Sequence, residues 1–228
     1  MRYKPILLLA LALMLCPKKT TAAEYSCNNR YAIVMTLESP ADREKICAAA
    51  GKALDFLAHY DLYPQRKINI NIVETSIMSE SYDAFGSYNC LSDVIDLMSY
   101  QAIFAALNQP EMYGETFDDV HYSGLIAHEI AHAVMQHNLM TKHISPAPQE
   151  YLAHATQLAV MPENRRRAII KVMDVGPWQT GDVISDVYMA LEPGKFAVKS
   201  YLHLTTMEQP KNFIRMLLQS KWFYVNVP

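Results

Sequence analysis

Five consecutive residues, His128-Glu129-Ile130-Ala131-His132, lie inside a stretch that reads as helix from Val120 to Asn138. On a helical wheel His121, Gly124, His128, His132 and Met135 share one side, while Leu125, Ile126, Ile130, Ala133 and Val134 cover most of the rest. A helix that is apolar nearly all round is a buried helix. Buried imidazoles without partners are costly, so the chain has to fold around this segment and give both histidines something to bind. Positions i and i+4 stand one turn apart on one face, so His128 and His132 can hold one metal ion together. Glu129 projects about 100° from His128, where it can reach a water held by that ion without displacing it. Zinc suits the set, because imidazole is a good zinc ligand and catalytic zinc keeps a position open for water.

A catalytic zinc usually takes a third protein ligand. The pattern H-E-x-x-H-x-x-G-x-x-H fails here, because Met135 stands at the glycine position and Asn138 at the last histidine position. A glutamate from a second helix is the other source, and Glu150 lies eighteen residues after His132. Ser145 is a plausible N-cap for that helix, Pro146 fits its first position, and Pro162 marks its far end. Glu150, His154 and Gln157 form a thin polar stripe at i, i+4 and i+7, with Tyr151, Leu152, Ala155, Leu158, Ala159 and Val160 around it. So thin a stripe on so apolar a helix points to a polar interior site, with Glu150 as third ligand. His154 and Gln157 either orient a ligand, bind substrate or simply pack.

These residues resemble the gluzincin class of zinc metallopeptidases, with His128, His132 and Glu150 as Zn2+ ligands and Glu129 as catalytic base. More loosely, the chain is similar to small secreted bacterial H-E-x-x-H proteins of uncharacterised function. The resemblance covers about Val120 to Met161. It implies a zincin-like fold, a peptide or protein substrate, and an edge strand for extended peptide, a place that Asp93 to Tyr100 occupies. It also implies an oxyanion donor in the C-terminal helices, for which Tyr201 and His203 are the candidates. Many gluzincins carry an aspartate four residues after the glutamate ligand, where it orients one histidine. Here that position is His154.

Arg2 and Lys4 precede the apolar run Ile6 to Leu15, and a polar stretch then ends in Thr20-Thr21-Ala22-Ala23. That is the pattern of a secretory signal peptide, residues 1 to 23, and it is too short for a membrane span. The expected mature protein is therefore periplasmic or extracellular, with no stable membrane insertion. The 228-residue chain carries a formal charge of −3. Without Arg2, Lys4, Lys18 and Lys19 it has sixteen basic groups against twenty-three acidic ones, a charge of −7. Nucleic acid, which needs a clustered basic surface, is a poor partner for it. Arg165-Arg166-Arg167 is the one basic run, read as a solvated helix face. Of the three cysteines after residue 23, Cys27, Cys47 and Cys90, export predicts one disulfide and one thiol left over, without saying which.

Periodicity supplies the remaining elements. Tyr31 to Leu37 and Ile68 to Ile72 read as strands. Pro40 to Tyr60 reads as a helix capped by Ser39, with Ile46, Ala49, Ala50, Ala53, Leu54 and Leu57 on one face. Ala84 to Tyr88 and Val94 to Tyr100 form a hairpin around Asn89-Cys90-Leu91-Ser92, followed by a short helix from Gln101 to Leu107. Beyond Pro162 the helices expected are Glu163 to Met173, Asp182 to Ala190, Lys195 to Leu204 and Pro210 to Gln219. The loops Asp174 to Gly181 and Thr205 to Gln209 are the expected flexible points. The fold class is α+β: one domain over 24–228, with a small mixed sheet and packed helix in 24–118 and a mainly helical part, holding the zinc-site pair, in 119–228. The function expected is that of a secreted zinc hydrolase, most simply a metallopeptidase. A non-catalytic zinc-binding protein, or a metal-free interaction protein on a degenerate metallopeptidase fold, is the alternative.

Overall fold

The computed structural model describes residues 23–27, 31–37, 42–79, 82–107 and 109–228. The expected leader lies outside these residues up to Ala23, and Ser39 and Pro40 lie outside them too. The chain begins with β1 (Ala23–Ser26), β2 (Ile33–Leu37), α1 (Arg43–Ala58) and β3 (Ile68–Val73). Because β2 and β3 run parallel, the chain has to cross between them, and α1 is that crossover. The short pair β4 (Ile77–Ser79) and β5 (Tyr82–Ala84) follows, then the hairpin β6 (Gly86–Asn89) and β7 (Val94–Met98). Five strands join in the order β1-β2-β3-β7-β6, antiparallel at both ends and parallel in the middle. Next come α2 (Tyr100–Ala106), the small hairpin β8 (Glu111–Met112) and β9 (Glu115–Thr116), α3 (Asp119–His137) and α4 (Pro146–Val160). The chain ends with α5 (Glu163–Met173), β10 (Val183–Ser185), α6 (Asp186–Leu191), α7 (Pro193–Thr206), α8 (Pro210–Leu217) and β11 (Tyr224–Asn226). The protein is α+β. Among the described residues no helix is long and apolar enough to cross a membrane.

The core follows from the two periodicities. Along β2 the side chains alternate, so Ile33, Met35 and Leu37 are buried, joined by Ile68 and Ile70 of β3 and Ile95 and Leu97 of β7. α1 buries the same six residues that share a face in the sequence. α3 packs against α1, α4 and the β6–β7 hairpin at once, which explains why it is apolar all round. α7 closes the far side of α4.

Four expectations change. β7 is paired on both sides, so Asp93 to Tyr100 contains an inner strand, and the edge of the sheet is β6. Val183–Ser185 is strand rather than helix: Ile184 is buried opposite Val225, and the Ser185 hydroxyl caps α6 by accepting from the Tyr188 N–H. The segment from Asp174 to Gly181 is anchored at its middle, where the buried Trp178 donates to Ser200 Oγ. The arginine run is not simply a solvated face. Arg165 pairs with Glu115 and Asp118, and Arg166 donates to the last carbonyls of α4, at Ala159 and Met161.

Cys27 and Cys47 form the disulfide, tying the end of β1 to α1, while Cys90 is free and exposed. Replacing both bridged cysteines by alanine should destabilise the fold by about 3 kcal/mol, the loop-closure value for a link of this span. Thermal unfolding of the double variant measures it.

A second tie holds the hairpin to α3. Asp93, at the end of the β6–β7 turn, takes a left-handed backbone (φ 56°). Its Oδ1 accepts from the Tyr88 hydroxyl at 2.6 Å and from His137 Nε2 at 3.0 Å, and its Oδ2 pairs with Arg66 Nε. Burial pushes this carboxyl up, but Arg66, Tyr88 and His137 outweigh it and hold the pKa at about 2. A carboxylate depressed on folding stabilises the protein above its unfolded pKa and stops doing so as pH falls through the folded value. Asp93→Asn should therefore cost about 1–3 kcal/mol at neutral pH. The gap to wild type should close between about pH 4 and pH 2, as read from denaturant unfolding across pH.

Candidate metal centre

α3 starts at Asp118, whose carboxylate accepts from the N–H groups of Val120 and His121. His121 completes the cap, its Nδ1 accepting from the Asp118 N–H. The helix then carries His128 and His132 toward α4. Gly124 permits the approach: a Cβ there would lie 2.9 Å from Met161 Cε and 3.1 Å from Gln157 Cγ. α4 starts with Pro146 in its first turn, as expected, but Ser145 does not cap it. Its hydroxyl instead donates to the Trp222 carbonyl and ties the helix start to the C-terminal segment.

The two helices bring three side chains together. His128 Nε2 is 3.3 Å from Glu150 Oε2, His132 Nε2 is 3.4 Å from Glu150 Oε1, and the two Nε2 atoms are 3.1 Å apart. All three donor atoms lie within 4.8 Å of one another. Their side chains are 12–22% exposed, enough for solvent to reach them. Pro146, one turn before Glu150, lines a surface groove of about 730 Å³ shared with Met140 and Phe223.

Gln157 stands behind His128, accepting the Nδ1 hydrogen on Oε1 at 3.2 Å, while its Nε2 donates to Met112 Sδ. The same oxygen accepts from His154 Nδ1 at 3.1 Å. Gln157 thus fixes a tautomer: with hydrogen on Nδ1, the His128 Nε2 lone pair is free to face Glu150 and His132. Burial, with His128 beside it, pushes the His154 pKa down to about 3. This neutral ring stands 4.7 Å from that of His128, edge to face.

Glu129 and Glu150 sit in opposite electrostatic surroundings. Burial raises the Glu129 carboxyl above the ordinary glutamate range, against the pull of His128 and His132. Burial also acts upward on Glu150, but His132, with His128 beside it, holds it well below that range. His132 is correspondingly raised: Glu150 outweighs the effect of burial. Only 5% of Glu129 is exposed, and β6 crosses directly over it. A Cβ on Gly86 would stand 2.8 Å from its Cγ and Oε1, and the Tyr88 N–H donates to its carboxylate.

Tyr201 and His203 are not brought to this cluster. His203 bonds the Tyr151 hydroxyl through Nδ1 at 2.9 Å. Tyr151 follows Glu150 and so points about 100° away around α4. The Tyr201 ring lies under Arg166, 5.2 Å from the guanidinium, beside Leu158 and Met161. The contact of β6 with Glu129 escapes sequence reasoning, although one signal was available: a glycine inside a strand marks close approach of other groups to its backbone.

Residues 33–227 match a family of unknown function, DUF6639, and the chain belongs to that family. No curated protein and no solved structure matches it.

If the cluster holds zinc, Gln157→Leu should keep the fold and weaken zinc binding about 10–100-fold, because the partner that orients His128 is lost. Competition with a chromophoric chelator measures it.

Proposed function

We propose that the protein is an exported zinc-dependent hydrolase, most simply a zincin-like peptidase. His128, His132 and Glu150 would hold the ion, and Glu129 would be the general base. The observation that carries this reading is the convergence of two imidazole nitrogens and one ionised carboxylate beside a second, buried carboxylate that is held apart from them. Two imidazoles and a carboxylate form a recurrent catalytic zinc set. Donor atoms that face one another this closely are stable together when a cation lies among them. A zinc ion supplies Lewis acidity, bringing the pKa of water toward neutrality and polarising a carbonyl.

The rest falls to the chain's own groups. Gln157 keeps His128 in the ligating tautomer. Glu150 stays ionised and compensates positive charge. Glu129, with its affinity for protons raised by burial, accepts one from water and passes it to the leaving amine. The Tyr88 N–H and the backbone at Gly86 fix where that carboxylate stands. β6 is an edge strand of the five-stranded sheet, and an extended peptide would add there as a further strand. The Cys27–Cys47 disulfide is consistent with an oxidising compartment.

Metal analysis of purified protein should find about one zinc per chain, as this ligand set implies. His132→Ala should lose it. Glu129→Gln should fold and keep the zinc while cleavage of a peptide library falls about 10²–10⁴-fold, the usual worth of a positioned base. Undiminished cleavage by the Gln variant would exclude Glu129 as base, and a folded protein that takes up no zinc on titration would overturn the whole reading.

A further inference from the structure

The groove at the start of α4 has no part in the reading above, yet it opens next to the cluster. Pro146 is exposed and precedes Glu150 by four residues, so the two share one face of α4, about 5.4 Å apart along its axis. An extended peptide advances about 3.3 Å per residue. A peptide running along this face, with one bond held at the cluster, therefore carries a nearby side chain over the groove.

The two walls are tied to each other. One is the loop between α3 and α4, and the other is the C-terminal segment after α8. The Ser145 hydroxyl donates to the Trp222 carbonyl, the Ser145 N–H to the Ser220 carbonyl at 3.3 Å, and Gln219 Nε2 to Met140 Sδ at 3.1 Å. The lining is apolar at Met140, Ile144, Pro146 and Phe223, with Met140 63% and Phe223 71% exposed. Apolar area left to water in this way, rimmed by polar groups, marks a binding surface.

The rim carries charge of one sign. Lys142 and Lys221 line the groove, one on each wall, and neither ammonium has a partner among the described residues. No aspartate or glutamate occurs from Asn138 to Gln149 or from Gln209 to Pro228, in a chain whose acidic groups outnumber its basic ones. Two unpaired ammonium groups over an apolar floor complement a ligand that brings an apolar side chain and carboxylates together. Resting on the peptidase reading, we propose that the groove receives the substrate and that the substrate is an acidic peptide. An apolar side chain enters between Met140, Ile144 and Phe223, and neighbouring carboxylates meet Lys142 and Lys221.

Two fluorescently labelled peptides of equal length test this, one alternating leucine with glutamate and the other leucine with glutamine. Anisotropy is read on the full chain with zinc added and with zinc chelated, so that binding is measured whether or not the centre cleaves. Wild type should bind the glutamate peptide about ten-fold more tightly, with the preference shrinking as salt rises. Lys142→Glu combined with Lys221→Glu should erase that preference, and Phe223→Ser should weaken both peptides. With zinc added, the double charge reversal should raise KM for the glutamate peptide. Equal binding of both peptides by wild type, or a preference that survives charge reversal, would overturn the proposal, and cleavage of either peptide would then leave the hydrolase reading standing. Charge-dependent binding without cleavage would uphold the groove as a peptide site and overturn the hydrolase reading instead. A dimer that Phe223→Ser dissociates, with neither peptide bound, would assign the groove to a second copy of the chain and overturn the proposal.

Discussion

A helix that is buried along most of its length governs this structure. α3 is enclosed along most of its length by α1, α4 and the β6–β7 hairpin, so most polar groups on it find their partners in protein. The partners come from different places. His121 is used by the helix cap, His128 by Gln157 of α4, Glu129 by the backbone of β6, and His137 by Asp93 in the hairpin turn. Each bond fixes one neighbour against the helix, and together they place α4, the sheet edge and the turn around a single short stretch of chain. The centre is thus a consequence of how the helix is buried.

The division between Glu129 and Glu150 shows the same thing in electrostatic form. Both are glutamates, Glu129 buried and Glu150 half-buried beside it. One faces two imidazoles and keeps its charge; the other is roofed by a strand and resists ionisation. Neither property belongs to the residue type. Identical side chains thus take opposite tendencies from their surroundings.

Much of this was legible in sequence because the signals were local. The H-E-x-x-H spacing, the proline at the start of α4, the thin stripe through Glu150 and Gln157, and the six-residue face of α1 all depend on neighbours within a few turns. What stayed hidden depends on partners distant in sequence. Strand order cannot be read from a strand, so Asp93 to Tyr100 reads as an edge only by resemblance, whereas the pairing makes β7 an inner strand and β6 an edge. Ser145 has the composition of a cap, yet its hydroxyl belongs to a carbonyl 77 residues away. Tyr201 and His203 have suitable chemistry, but which flank of α4 they meet is decided by how α7 docks.

Gly86 and Gly124 give the centre an uneven tolerance to mutation. Most surface positions accept almost any side chain, whereas a single methyl group at Gly86 meets Glu129, and one at Gly124 meets Met161 and Gln157. Neither position carries a functional group, so a survey of reactive side chains would pass over both. Within a lineage, the geometry of the cluster can therefore be disturbed by the smallest change a protein chain allows while His128, Glu129, His132 and Glu150 all remain in the sequence. A relative that keeps His128, Glu129, His132 and Glu150 but has alanine at 86 or 124 would show the motif without the geometry that gives it meaning.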